Sequence, residues 1–173
     1  MRPIDALVLS SVDSPVGPLA LACDREGRVR GVSFGAGLIP AMAREYPSLA
    51  LSPGGAPTAV VLALSDYFAG ERGALERIDW SLGGAASEAG FQARVWRALT
   101  QVPAGVTISY GEMARRVGEP GAAQAVGVAL NRNPIPLVLA CHRVVGADGR
   151  MVGFGGGLER KTWLLRHEGA LLI

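Results

Sequence analysis

The sequence predicts a mixed α/β (α+β) chain in two parts: a small sheet with helices, then a unit built largely of short helices. Three observations predict it. Short apolar stretches separated by turn signals fill the first third of the chain. Apolar residues at helical spacing recur from Thr58 onward. Two short helical segments joined by a Gly/Pro turn stand in the second half, the pattern of a helix-turn-helix.

Taken in order, residues 6–12 alternate weakly and stop at "DSPVGP", a turn. "LALACD" reads as a second strand, "REG" as a turn and "RVRGVSF" as a third strand. "GLIPAMAREYP" is a short helix stopped by Pro47, and "PSLALSPGGAP" is loop. "TAVVLALSDYFAG" has helical spacing and ends at Gly70, a C-cap signal. "ALERIDWSL" reads as a last strand. The small, polar "GGAASEAG" at 83–90 marks a boundary, dividing the chain into 1–84, an α/β supporting part, and 88–173.

The second part opens at Ser87 or Glu88 with "FQARVWRALTQV", where Phe91, Val95, Trp96 and Leu99 share one helical face. "PAGVTISY" is loop and a short extended piece. "GEMARRVG", the turn "EPGA" and "AAQAVGVALNRN" form the helix-turn-helix, its second helix rich in small residues (Ala122, Ala123, Ala125, Gly127, Ala129). Small residues permit close approach to a DNA groove, and they equally suit a tightly packed helix pair that binds no DNA. "NPIP" breaks that helix, and "LVLACHRVV" reads as an extended buried segment. A glycine-rich loop follows, then a final helix, "LERKTWLLRHEG", with Leu158, Trp163 and Leu164 inward.

Composition excludes several function classes. Apolar residues make up 49% of 173, enough for a core. No apolar run of membrane-spanning length is free of charge, so no membrane span is expected. The start meets an acid and a proline too early for a signal peptide, and with two cysteines a disulfide scaffold is not indicated, so a cytoplasmic location is expected. Two Cys and two His without C-x-x-C spacing argue against a metal site. Residues 1–87 carry seven Arg against nine acids, a net −2, whereas residues 88–173 carry ten cations against six acids, a net +4. A basic second half fits an anionic partner, nucleic acid being the commonest.

Cys141 is the candidate nucleophile. A thiolate is stabilised by an imidazole or a cation nearby, and His142 is adjacent. On a strand, however, His142 points to the opposite face, so the two side chains communicate only if the segment bends or a water bridges them. A small buried hydrophobe is the competing reading of Cys141.

"FQARVWRALTQVPAGVT", "ISYGE", "AVGVALNRNPIPLVLACHRVVG" and "GFGGGLERKTWLLRHEG" follow one another at close spacing. From Phe91 to Gly169 the chain resembles the DNA-binding half of the O6-alkylguanine-DNA alkyltransferases, the methylated-DNA–protein-cysteine methyltransferases. "DSPVGPLALAC" and "LSDYFAGE" extend the resemblance weakly into the first half. The resemblance implies a ribonuclease H-like first part and a winged-helix-like second part. It implies Cys141 as alkyl acceptor, His142 as base through a water, Glu168 orienting His142, and Asn133 holding the turn behind the cysteine. Tyr110 would protonate the departing guanine. Gln124, Ala122, Ala123, Gly127, Arg132 and Arg143 would face DNA, although Arg143 also reads as a structural brace. Val144, Phe154, Gly155, Gly156 and Leu130 would form the base pocket.

The implied partner is double-stranded DNA containing O6-alkylguanine, with no membrane involved. A monomer is expected, with no cofactor and no metal. The implied chemistry is a single-turnover transfer onto Cys141 after the base is rotated out of the duplex.

Four positions depart from the family. Gln124 stands where the family has Arg, Ala140 replaces the proline before the cysteine, and Phe154 and Gly155 stand for Tyr and Ser. These departures keep open a second reading, a non-catalytic alkyltransferase-like protein that binds lesions and recruits other repair factors. The intact Cys141 argues for transfer. A helix-turn-helix regulator with a sensing cysteine is a third reading, but the extra regulator domain it needs is not expected within these 173 residues.

Overall fold

The computed structural model describes residues 5–83 and 90–171. The expected boundary, with its helix start at Ser87 or Glu88, falls almost wholly outside them.

Strands β1 (Ala6–Val12), β2 (Leu19–Cys23) and β3 (Val29–Ser33) form an antiparallel meander, as their spacing predicts. Gly17 and Gly27 supply the positive φ of its two turns. The Asp24 carboxylate closes the second turn by accepting the backbone N–H groups of Glu26 and Arg28, and it pairs with the buried Arg30 at 2.8 Å.

Residues 50–53, expected as loop, instead form strand β4 (Ala50–Pro53), parallel to β1 at the sheet edge, giving the order β3-β2-β1-β4. Its mostly exposed side chains carry no alternation, so the pairing is a tertiary effect that the sequence does not display. Helix α1 (Leu38–Glu45) buries Leu38 and Met42 against Leu7, Ala22 and Tyr46. Helix α2 (Thr58–Phe68) turns Val60, Ala63, Leu64 and Tyr67 inward at i, i+3, i+4 and i+7. The expected strand at 74–82 is instead a 3₁₀ turn, Ala74–Arg77, followed by a single bridge from Trp80 to Val29.

Helix α3 (Phe91–Ala98) buries Val95 and Trp96, as its spacing predicts. The helix-turn-helix is present as α4 (Tyr110–Arg116) and α5 (Ala123–Asn131). Ser109 caps α4 by accepting the Glu112 N–H at 3.0 Å. Between the helices Gly118 and Gly121 adopt positive φ. Trp96 Nε1–H donates to the Ala129 carbonyl at 2.7 Å and ties α5 to α3. Ala129 is therefore internal, while Gln124, Ala125 and Val128 remain on the outer face of α5.

The final helix, α6 (Leu158–His167), is rotated from the expected setting: Leu158 is exposed and Lys161, Leu164 and Leu165 point inward. One buried cluster joins both halves, with Val16, Leu64 and Tyr67 from the first and Trp96, Met113 and Leu164 from the second. At about 25 cal/mol per Å² of apolar surface, this shared burial is the main force holding α2 against α6. Among the described residues no helix is long and apolar enough to cross a membrane.

Candidate active site

The segment around Cys141 is bent, not extended. The Asn133 side chain organises it: its Nδ2 donates to the Leu139 carbonyl at 2.7 Å and its Oδ1 accepts the Ile135 N–H at 2.9 Å. Inside that loop Leu137 is held at φ 73, a conformation that costs a non-glycine residue roughly 1–2 kcal/mol and is offset by its complete burial. Only Val144–Val145 becomes strand (β6), parallel to Ile108–Ser109 (β5). Between loop and strand, Cys141–Arg143 makes one 3₁₀ turn. A 3₁₀ turn rotates successive side chains by about 120°, so Cys141 and His142 are not forced onto opposite faces.

Cys141 is buried, and burial pushes its thiol pKa up. Several contacts oppose that rise: hydrogen bonding by the Asn133 amide, the charge of the Lys161 ammonium, and the backbone N–H groups of Cys141 and His142. The resting thiol is therefore protonated, and activation calls for a base.

His142 is completely buried, with Nε2 2.8 Å from Glu168 Oε1. Burial lowers its pKa, while the Glu168 contact raises it in part. Burial alone would raise the Glu168 pKa, but hydrogen bonds and charge from His142 and Arg143 hold it well below the usual carboxylate range. An ionised Glu168 can only accept, so the His142 proton sits on Nε2. The Nδ1 lone pair is left with no protein partner among the described residues.

Arg143 is turned inward, which corrects its placement among residues facing DNA. It grips Glu168 through Nε at 3.0 Å and a terminal nitrogen at 2.8 Å, and donates to the Val102 carbonyl at 2.7 Å. The bracing alternative is the one the structure displays.

Two contributors lie outside the residues that the sequence motifs single out. Lys161 is buried and donates to the carbonyls of Val144 at 2.7 Å and Val152 at 3.0 Å, tying β6 to the glycine-rich loop. Tyr67, from α2, donates its hydroxyl to Glu168 Oε1 at 2.8 Å. A lysine on the inward face of a helix is itself a signal for the first. Nothing local marks the second, whose partner lies 101 residues away.

Tyr110 opens α4, and its hydroxyl donates to the Val152 carbonyl at 3.0 Å at the rim of the glycine-rich loop. Gly127 of α5 faces its ring. Phe154 packs on Phe34 of the first half, with ring centroids 5.8 Å apart. A Cβ on Gly156 would stand 2.7 Å from both rings, so glycine is required there. Gly155 is exposed, Leu130 is half-buried and Val144 is completely buried. Gln124 and Arg132 are exposed along α5, with Ala122, Ala123 and Gly127 half-buried beside them.

The arrangement holds a buried thiol beside a neutral imidazole backed by a carboxylate, at the base of a helix-turn-helix. The family model for the DNA-binding domain of 6-O-methylguanine DNA methyltransferase matches residues 90–170. The methylated-DNA–protein-cysteine methyltransferase of Salmonella typhimurium is 39% identical over 176 residues, spanning 96% of this chain and 98% of the relative. The structure of the Mycobacterium tuberculosis O6-methylguanine methyltransferase superposes with a TM-score of 0.75 at 36% identity, covering 95% of this chain and 93% of that one. Mycobacterium tuberculosis OGT in complex with DNA gives a TM-score of 0.75 at 38% identity, with 94% and 93% covered.

Proposed function

This chain belongs to the methylated-DNA–protein-cysteine methyltransferase family, and from that premise we propose how its residues divide the work. It is a DNA-binding repair methyltransferase that moves the alkyl group of O6-alkylguanine irreversibly to its own cysteine. Residues 1–84 support the fold, and residues 88–173 bind DNA and carry out transfer. A cytoplasmic location fits this work.

Helix α5 enters the DNA groove with Gln124, Ala122, Ala123, Gly127 and Arg132 on the contacting side. The alkylated guanine leaves the stack and enters a pocket bounded by Tyr110, Leu130, the Val144 backbone and residues 154–156, since the reacting carbon is out of reach within a duplex. His142 Nδ1 takes the Cys141 proton through a bridging water. The thiolate sulfur then attacks the alkyl carbon in line; the S–C bond forms as the C–O6 bond breaks. Tyr110 donates a proton to N3 of the departing guanine, and the proton taken up by His142 passes to the Tyr110 phenolate, so that imidazole and phenol both end neutral. Arg143 and Glu168 stay fixed and hold the imidazole in its Nε2–H form. The thioether is stable, so each chain acts once.

The observation that carries this reading is the His142 Nε2–Glu168 contact, which leaves Nδ1 unpartnered and able to act as a base toward the neighbouring residue in sequence, Cys141. The test is a titration of the protein with excess duplex containing O6-methylguanine. Transfer should saturate at one methyl group per chain and vanish in Cys141→Ser. Continued turnover, or transfer in the variant, contradicts the reading.

A further inference from the structure

We infer that Tyr67, on α2 of the first half, is a positioning residue for the transfer reaction: its hydroxyl donates to Glu168 Oε1 and sets how strongly that carboxylate draws on the His142 proton. The inference rests on the proposed roles of Cys141 and His142.

The geometry is specific. Glu168 Oε1 receives three donors at 2.8 Å: the Tyr67 hydroxyl, His142 Nε2 and a terminal Arg143 nitrogen. Arg143 Nε binds the other oxygen at 3.0 Å. The hydroxyl and the carboxylate are both completely buried, so neither exchanges its partner for water. Burial, and then the charge of Glu168, push the Tyr67 pKa far up, so this hydroxyl remains protonated and acts as the donor.

Tyr67 is also held in place from the α6 side. The His167 ring nitrogen Nε2 lies 2.6 Å from the Tyr67 carbonyl, and the Tyr67 ring packs edge-on against both Phe68 and His167. Other charged groups around the relay are Lys161, on the Cys141 side, and Arg72, whose guanidinium lies against Gly169. Of the three groups that crowd Oε1, Tyr67 is the one supplied by the first half of the chain, and it donates as a neutral hydroxyl.

The consequence has a definite sign. A donor on a carboxylate spreads its charge and makes it a weaker acceptor for other protons. Removing the Tyr67 donor leaves Glu168 more basic, favours the His142 imidazolium, and raises the pH below which His142 is already protonated and unable to act as base. The first half of the chain would thus tune the relay as well as support the fold.

The test is the pH profile of single-turnover transfer from methylated duplex to full-length protein, for wild type, Tyr67→Phe, and protein carrying 3-fluorotyrosine at position 67. Phenylalanine keeps the ring packing and removes only the donor. Its acid limb should move up by roughly half to one pH unit, with a severalfold lower rate below neutrality. The fluorinated ring is a stronger donor and should move the limb down, so a folding defect in one variant leaves the other to decide. Limbs unmoved in both variants, with only stability altered, overturn the role of Tyr67. Wild-type protein that transfers no methyl group contradicts the functional reading instead.

Discussion

His142 Nε2 stands 2.8 Å from Glu168 Oε1, and both side chains are wholly shielded from solvent. That contact selects one tautomer and aims a free lone pair away from the carboxylate. It also buries a negative charge that only Arg143 neutralises fully, so the pair is a liability to stability once a partner is lost.

Glu168 is held below its ordinary value of 4.5, so the stability it contributes is complete above about pH 4.5 and declines as pH falls through the lower folded value. Glu168→Gln should lower unfolding free energy near neutral pH by about 3–5 kcal/mol, because Arg143 is left buried and uncompensated. The gap between wild type and variant should narrow below pH 4.5. Denaturant unfolding across that range checks it, and a gap that stays constant contradicts it.

Ala140, which precedes the cysteine, has φ −74, within the range that a proline ring imposes. Ala140→Pro should therefore stabilise the chain by roughly 0.4–1 kcal/mol through the unfolded state, without loss of transfer. Thermal unfolding reads the change. A destabilised variant would show that the surrounding loop depends on the Ala140 N–H or on a freer Leu139.

Gln124 lies exposed in the first turn of α5, where the family carries Arg. Gln124→Arg should tighten binding to duplex by about tenfold and steepen its salt dependence by about one phosphate contact. It should also raise the transfer rate, since a planar cation fills the gap left by a rotated base better than an amide does. Affinity measured at several salt concentrations decides; an unchanged affinity and slope contradict the placement of Gln124 against DNA.

The meander and the helix-turn-helix were legible because local signals and the final structure agree there. "DSPVG" and "REG" are turns by their own chemistry, and Val95 with Trp96 faces inward because helical spacing puts them together. The bend at Cys141 was not legible. It depends on Asn133 reaching Leu139 six residues on and on Leu137 at φ 73, neither of which an apolar run displays. Strand β4 and the 3₁₀ turn at Ala74–Arg77 were likewise decided by neighbours distant in sequence. The burial of Lys161 is not legible because lysine composition signals surface, and only three carbonyls converging on its ammonium make burial tolerable. Tyr67 sits on a periodic apolar face and reads as core, which it also is.

The central claim is that the Cys141 sulfur receives the alkyl group. Mass spectrometry of the proteolysed protein after incubation with duplex containing O6-methylguanine tests it directly. The peptide bearing Cys141 should gain about 14 Da, the mass of one methylene, while the peptide bearing Cys23 stays unmodified. Selective binding of the lesion with no mass added at Cys141 would contradict the account.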